Sequence, residues 1–159
     1  PTALYFDFGC GSNANAPIKV HHNLFMPIQN QGAAIRLHTP TGHVHIYHNT
    51  CISSGIGISF WGNAGGLENV KIKNNIFTSP VMAWLPEGFT NTNIKDCNNH
   101  GIDSSHNIYA DINPKFVDNS KNDYRLNADS PAIGAALSDC GALQLGESFP
   151  AIGSSLAVS

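Results

Sequence analysis

The chain has 159 residues and a mass of 17.0 kDa, enough for one domain with its own core and no demand for two. Charged residues make up only 12%, about half the usual share, and the net charge of −3 offers no basic footprint for nucleic acid. No apolar run is long enough to span a membrane, and the opening PTALYFDF has neither a basic segment nor a cleavage pattern.

In chain order, PTALYFDF reads as a strand entered without a preceding cap, the mark of a piece of a longer solenoid whose secretion signal would lie upstream. Three related stretches follow: IKVHHNLFM at 18–26, VHIYHNTCI at 44–52 and VKIKNNIFT at 70–78. Asn23, Asn49 and Asn75 stand 26 residues apart. The neighbouring positions keep the step: Ile18, Val44, Val70; Val20, Ile46, Ile72; Phe25, Cys51, Phe77. A fixed period of this size filled by strand patterns predicts a solenoid in which each turn stacks on the last. Alternation puts 18/20, 44/46 and 70/72 inside. The three asparagines fall at a bend, where stacked amides can bond along the axis as a structural ladder. Asn107 extends the ladder out of period, and His22, His48 and Asn74 belong to the same bend.

A second strand per turn is predicted at AAIRLH (33–38), GIGISFW (55–61) and VMAWLPE (81–87), aligning Ile35 with Ile58 and Trp84, and Leu37 with Phe60 and Pro86. Glycines punctuate these segments, and no helical stripe is present, so the expectation is an all-β chain. Low charge suits stacked strands, because like charges would repeat every ~4.8 Å up the coil.

The outward positions are the candidates for chemistry. Lys19, His45 and Lys71 form one column and His21, Tyr47 and Lys73 the next; Arg36, Ser59 and Leu85, then His38, Trp61 and Glu87, form two more. Cations neutralise carboxylates, an imidazole takes a proton near neutral pH, and aromatic rings lie against sugar faces. On that basis His45, Lys71 and His21 are the catalytic candidates, and Lys19, Arg36, His38, Tyr47, Trp61 and Lys73 the substrate-binding ones. The competing reading of these columns is a solvated surface that keeps a long sheet soluble.

His38, His43, His45 and His48 lie within eleven positions. His43 and His45 are expected on one face, pointing away in parallel, so no metal site is assigned. Cys10, Cys51, Cys97 and Cys140 lack metal or redox spacing and allow three pairings. The Cys51 column suggests a buried apolar site that suits a free thiol at least as well as a bridge, and Cys97 with Cys140 is the pair expected if a bridge forms. Beyond residue 87 the period fails. Strand signals remain in NIKDCN, HNIYA and DYRLN, with Phe116, Tyr124, Leu126 and Ile133 as plugs of an open solenoid end. The closing segment runs to about 145, with 146–159 as a tail.

The Ile/Val-x-Ile/Val-x-x-Asn turns, followed by DINPKFVDNSKNDYRLNADSPAIGAA and DCGALQ, resemble the C-terminal part of right-handed parallel β-helix proteins of the pectate-lyase-like type over roughly residues 18–145. The matching elements are Pro114 and Phe116, Asp123–Leu126, Ser130–Ile133 and Asp139–Ala142. The resemblance implies a right-handed parallel β-helix with an irregular closing segment, and a secreted or cell-surface polysaccharide lyase or glycoside hydrolase acting on acidic polysaccharide. It equally admits a non-catalytic structural or adhesive solenoid: a surface fibre, tailspike segment or filament subunit, with self-association or continuation of the coil on its N-terminal side. Lyases of this type use a calcium-holding acidic cluster. Here Asp7, Glu68, Glu87, Asp96 and Asp103 are scattered, so no cofactor is assigned and calcium enters only if the parent is a lyase.

Overall fold

The 26-residue step of the sequence is one coil of the chain. The computed structural model describes residues 2–6, 13–26, 33–38, 41–52, 55–61, 67–78, 82–84, 92–93 and 102–135. The first turn contributes β1 (Thr2–Phe6), β2 (Ile18–His21) and β3 (Leu24–Phe25). The second contributes β4 (Ala33–His38), β5 (Thr41–Gly42), β6 (Val44–Tyr47) and β7 (Thr50–Cys51). The third contributes β8 (Ile56–Trp61), β9 (Leu67–Glu68), β10 (Val70–Lys73) and β11 (Ile76–Phe77). Then follow β12 (Met82–Trp84), β13 (Thr92–Asn93), β14 (Ile102–Ser105), β15 (Phe116–Asp118) and β16 (Asp123–Leu126). Like strands stack in parallel as β1-β4-β8-β12, β2-β6-β10-β14 and β3-β7-β11. The chain is an all-β parallel β-helix.

Alternation decides which side chains fill the coil. Val44, Ile46, Val70 and Ile72 are fully buried and Val20 nearly so, with Ile35, Leu37, Ile58 and Phe60 buried opposite them. Each buried aliphatic of this kind stabilises by about 1.5–3 kcal/mol relative to exposure. Cys51 is a buried free thiol between Phe25 and Phe77 in register, and burial pushes its pKa far up. Cys10, Cys97 and Cys140 lie outside the described residues. Gly57 has a steric reason: a Cβ there would stand 2.9 Å from Cδ1 of Phe77.

The asparagines form a ladder, and Asn107 is its fourth rung. Nδ2 of Asn23 donates to Oδ1 of Asn49 at 3.0 Å, Asn49 to Asn75 at 3.0 Å and Asn75 to Asn107 at 2.9 Å. Each acceptor oxygen also takes the backbone N–H of the rung before it. Nδ2 of Asn49, Asn75 and Asn107 also donates to the carbonyls of Val20, Ile46 and Ile72, respectively, one turn back. Asn49 and Asn75 are fully buried, and these bonds supply the partners that buried amides require.

Two expectations need correction. The third strand of the β4 sheet is shifted by three residues: Met82 pairs with Ser59 and Trp84 with Trp61, so Trp84 does not follow Ile58. The cause is a linker that shortens each turn, with 13 residues from Asn23 to Arg36, 10 from Asn49 to Ser59 and 7 from Asn75 to Met82. Leu85 and Glu87, expected to complete the outward columns, lie outside the described residues, and Met82 and Trp84 hold those register positions instead. Second, HNIYA is not a strand. His106 turns the backbone at φ 57°, leaving Ile108 as a single bridge to Ile76, and the strand is Ile102–Ser105.

The closing element behaves as expected. β15 and β16 form an antiparallel pair, and Leu126 and Ala132 pack with Ile76 and Ile108, flanked by Phe116 and Ile133. Tyr124 is buried edge-on against Phe116. Ser130 ties the hairpin down, its hydroxyl donating to the Pro114 carbonyl at 2.6 Å.

Candidate functional site

Because β2, β6, β10 and β14 stack without a register shift, their outward side chains line up across four turns. Lys19 pairs with His45, His45 with Lys71 and Lys71 with Asp103; beside them run His21, Tyr47, Lys73 and Ser105. Steps of about 4.8 Å separate neighbours in each column. The His21 ring stacks on Tyr47 with centroids 4.9 Å apart and planes 9° from parallel, and both are partly exposed, a flat surface of the kind sugar rings cover. Lys73 reaches diagonally to Asp103, Nζ to Oδ2 at 2.5 Å. An open cleft of about 500 Å³ lies at the β10–β14 side, lined by Asn69, Lys71, Asp103 and Ser105 among others.

His45 is the unusual member. Burial, then the charges of Lys71 and Lys19, with smaller effects of His43 and Lys73, hold its pKa below the ordinary 6.5. Its Nε2 is shielded from solvent and makes no hydrogen bond. Burial and the lysines together favour the neutral imidazole.

Arg36, His38 and Trp61 occupy a different sheet, β1-β4-β8-β12, so the structure does not join them to the lysine columns. Arg36 Nε donates to Ser59 Oγ at 3.1 Å, and Ser59 is buried. Tyr5, missed from the sequence, pairs in register with Arg36. It is half exposed and puts its ring 6.4 Å from that of His38. Trp61 pairs in register with His38. Through Tyr5, Arg36 and His38 this sheet carries a separate aromatic and basic patch.

The other described histidines are architectural. His22, His43, His48 and His106 all have φ between 50° and 57°, as do Asn69 and Asn74, the left-handed region that Asn and His tolerate best after glycine. His22 stacks on His48 at 5.1 Å, and Asn74 Nδ2 donates to His48 Nε2 at 3.4 Å. His43, expected to share a face with His45, sits instead in the bend before β6, nearly buried, with Asn69 Nδ2 donating to its Nδ1 at 3.1 Å. Four of the eight histidines are thus explained by backbone geometry. Among the described residues no three metal-ligating side chains converge.

Asp103 was not assigned to the column because six extra residues separate Asn107 from its expected place. Counting back four from Asn107, as Lys71 stands from Asn75, finds it. Compared with known proteins, the chain matches no family model, no curated protein and no solved structure.

Proposed function

We propose that the protein is a secreted or cell-surface, carbohydrate-active β-helix of the pectate-lyase-like kind, which binds an acidic polysaccharide along the outer face of β2-β6-β10-β14. The supporting observation is the concentration of Lys19, Lys71, Lys73 and His45 beside the His21–Tyr47 stack on one face of a chain whose net charge is negative. Lysines neutralise uronate carboxylates, and the stack lies against sugar faces. The proton-transfer candidates are His45, Lys71 and His21. The reaction class is that of a polysaccharide lyase or a glycoside hydrolase; the described carboxylate of the face, Asp103, is paired with Lys73.

The second reading is a structural or adhesive solenoid. It is favoured by the use of four histidines and four asparagines in bends and ladder, which makes much of the unusual composition architectural. A panel of acidic and neutral glycans, followed by unsaturated-uronate absorbance, reducing ends and direct binding, separates the two. Binding or turnover confined to acidic glycans, and lost in folded Lys71→Ala or His45→Ala variants, supports the first. Silence across the panel in all three readouts rejects it.

A further inference from the structure

The groups around His45 create an imbalance that a ligand would remove. Lys19 and His21 of β2 stand on one side of it in register, and Lys71 and Lys73 of β10 on the other. Tyr47 shares its strand, His43 occupies the bend before it, and Asp103 of β14 is committed to Lys73. Lys19, Lys71 and Lys73 thus surround an imidazole whose Nε2 is shielded and makes no hydrogen bond. Protonating that imidazole in the free protein adds a positive charge to a cluster whose described carboxylate, Asp103, is already held by Lys73.

We propose that binding at this face is proton-coupled: a carboxylate or sulfate of the glycan, seated between Lys19 and Lys71 over the partly exposed His45 ring, draws a proton from solvent onto the imidazole. This rests on the reading of the face as an acidic-glycan site. The oxyanion cancels part of the lysine field and puts a negative charge beside the ring, and both favour the imidazolium. The depressed pKa of free His45 is the counterpart, because the same lysines that repel the proton attract the anion. Affinity for the acidic ligand accordingly rises as pH falls through the titration of the complex, until free His45 is itself protonated. The neutral form that a base requires returns above that range.

The test is a titration of the His45 imidazole by ¹H–¹⁵N NMR on the whole chain, free and saturated with a short oligouronate, with a neutral oligosaccharide of equal length as control. Calorimetry in buffers of different ionisation enthalpy counts the protons. The expected result is a midpoint raised by about one unit, a tenfold change in proton affinity, with the acidic ligand only, and proton uptake that disappears in His45→Gln. Binding that perturbs Lys71 and Lys73 but leaves the His45 midpoint unmoved overturns the proton coupling and preserves the glycan face. No binding of the oligouronate at any pH overturns both. The NMR measurement uses the native chain, so it does not depend on the variant folding.

Discussion

Asn49 shows how much one side chain carries in this molecule. Its amide accepts two N–H groups from Asn23 and donates to Asn75, Val20 and Tyr47, all within 3.1 Å. Replacing it with alanine strands several buried polar groups, each worth about 1–3 kcal/mol, so Asn49→Ala should lose about 3 kcal/mol or more in urea denaturation. A loss under about 1 kcal/mol would show that water replaces the rung. The bend residue beside it obeys a different rule. His48 holds φ 52°, so His48→Asn should fold with near-native stability while His48→Val loses about 1–2 kcal/mol from left-handed backbone strain; equal stabilities would refute the conformational account of these histidines. His45 adds a pH dependence. Its folded pKa lies below the ordinary 6.5, so the unfolded chain binds more protons than the folded one just below that value. Its contribution is fully present above about 6.5 and is lost as pH falls through the folded pKa. The thermal midpoint should therefore drop over that interval in the native chain, and less steeply in His45→Gln.

At the scale of the element, strict period and legibility go together. The inward faces of β2, β6 and β10, the Phe25–Cys51–Phe77 column and the ladder were readable because one side chain in two must be buried and the bend recurs at a constant 26 residues. The β4 sheet was readable for one step only. A linker that loses three residues per turn leaves no trace in hydrophobic alternation, so the Trp84 register could not be seen. The lysine and histidine columns followed from alternation alone. That Arg36, His38 and Trp61 belong to another face did not, since it depends on how the coil bends between strands. Asp103 was hidden by an insertion, although Asn107 offered the count that locates it. Gly57 offers an elemental test of packing between sheets. A valine there must displace the Phe77 ring from a 2.9 Å contact, and overpacking of this kind costs about 1–3 kcal/mol. Unchanged urea stability of Gly57→Val would mean that β8 and β11 slide apart freely.

For the whole molecule, each turn touches only its neighbours, so stability is a sum of turn and interface contributions. The closing hairpin covers Ile76 and Ile108, and the β6–β10 region has a stacked turn on both sides. Hydrogen exchange should therefore be slowest at the amides of Ile46 and Ile72 and faster in β2, whose partner lies on one side only; a flat exchange profile would argue against this one-dimensional behaviour. The ladder also has a direction. At each of the three contacts between rungs the earlier residue gives its nitrogen and the later one its oxygen, from Asn23 to Asn107. At the far end Asn107 Nδ2 meets the hydroxyl oxygens of Tyr109 and Ser104. The four amides form a row of aligned dipoles, each polarising the next, with a negative pole at the Asn23 rung. Whatever stacks on that rung must offer N–H groups, so the coil is a vectorial template that accepts a further turn in one polarity and rejects the reverse.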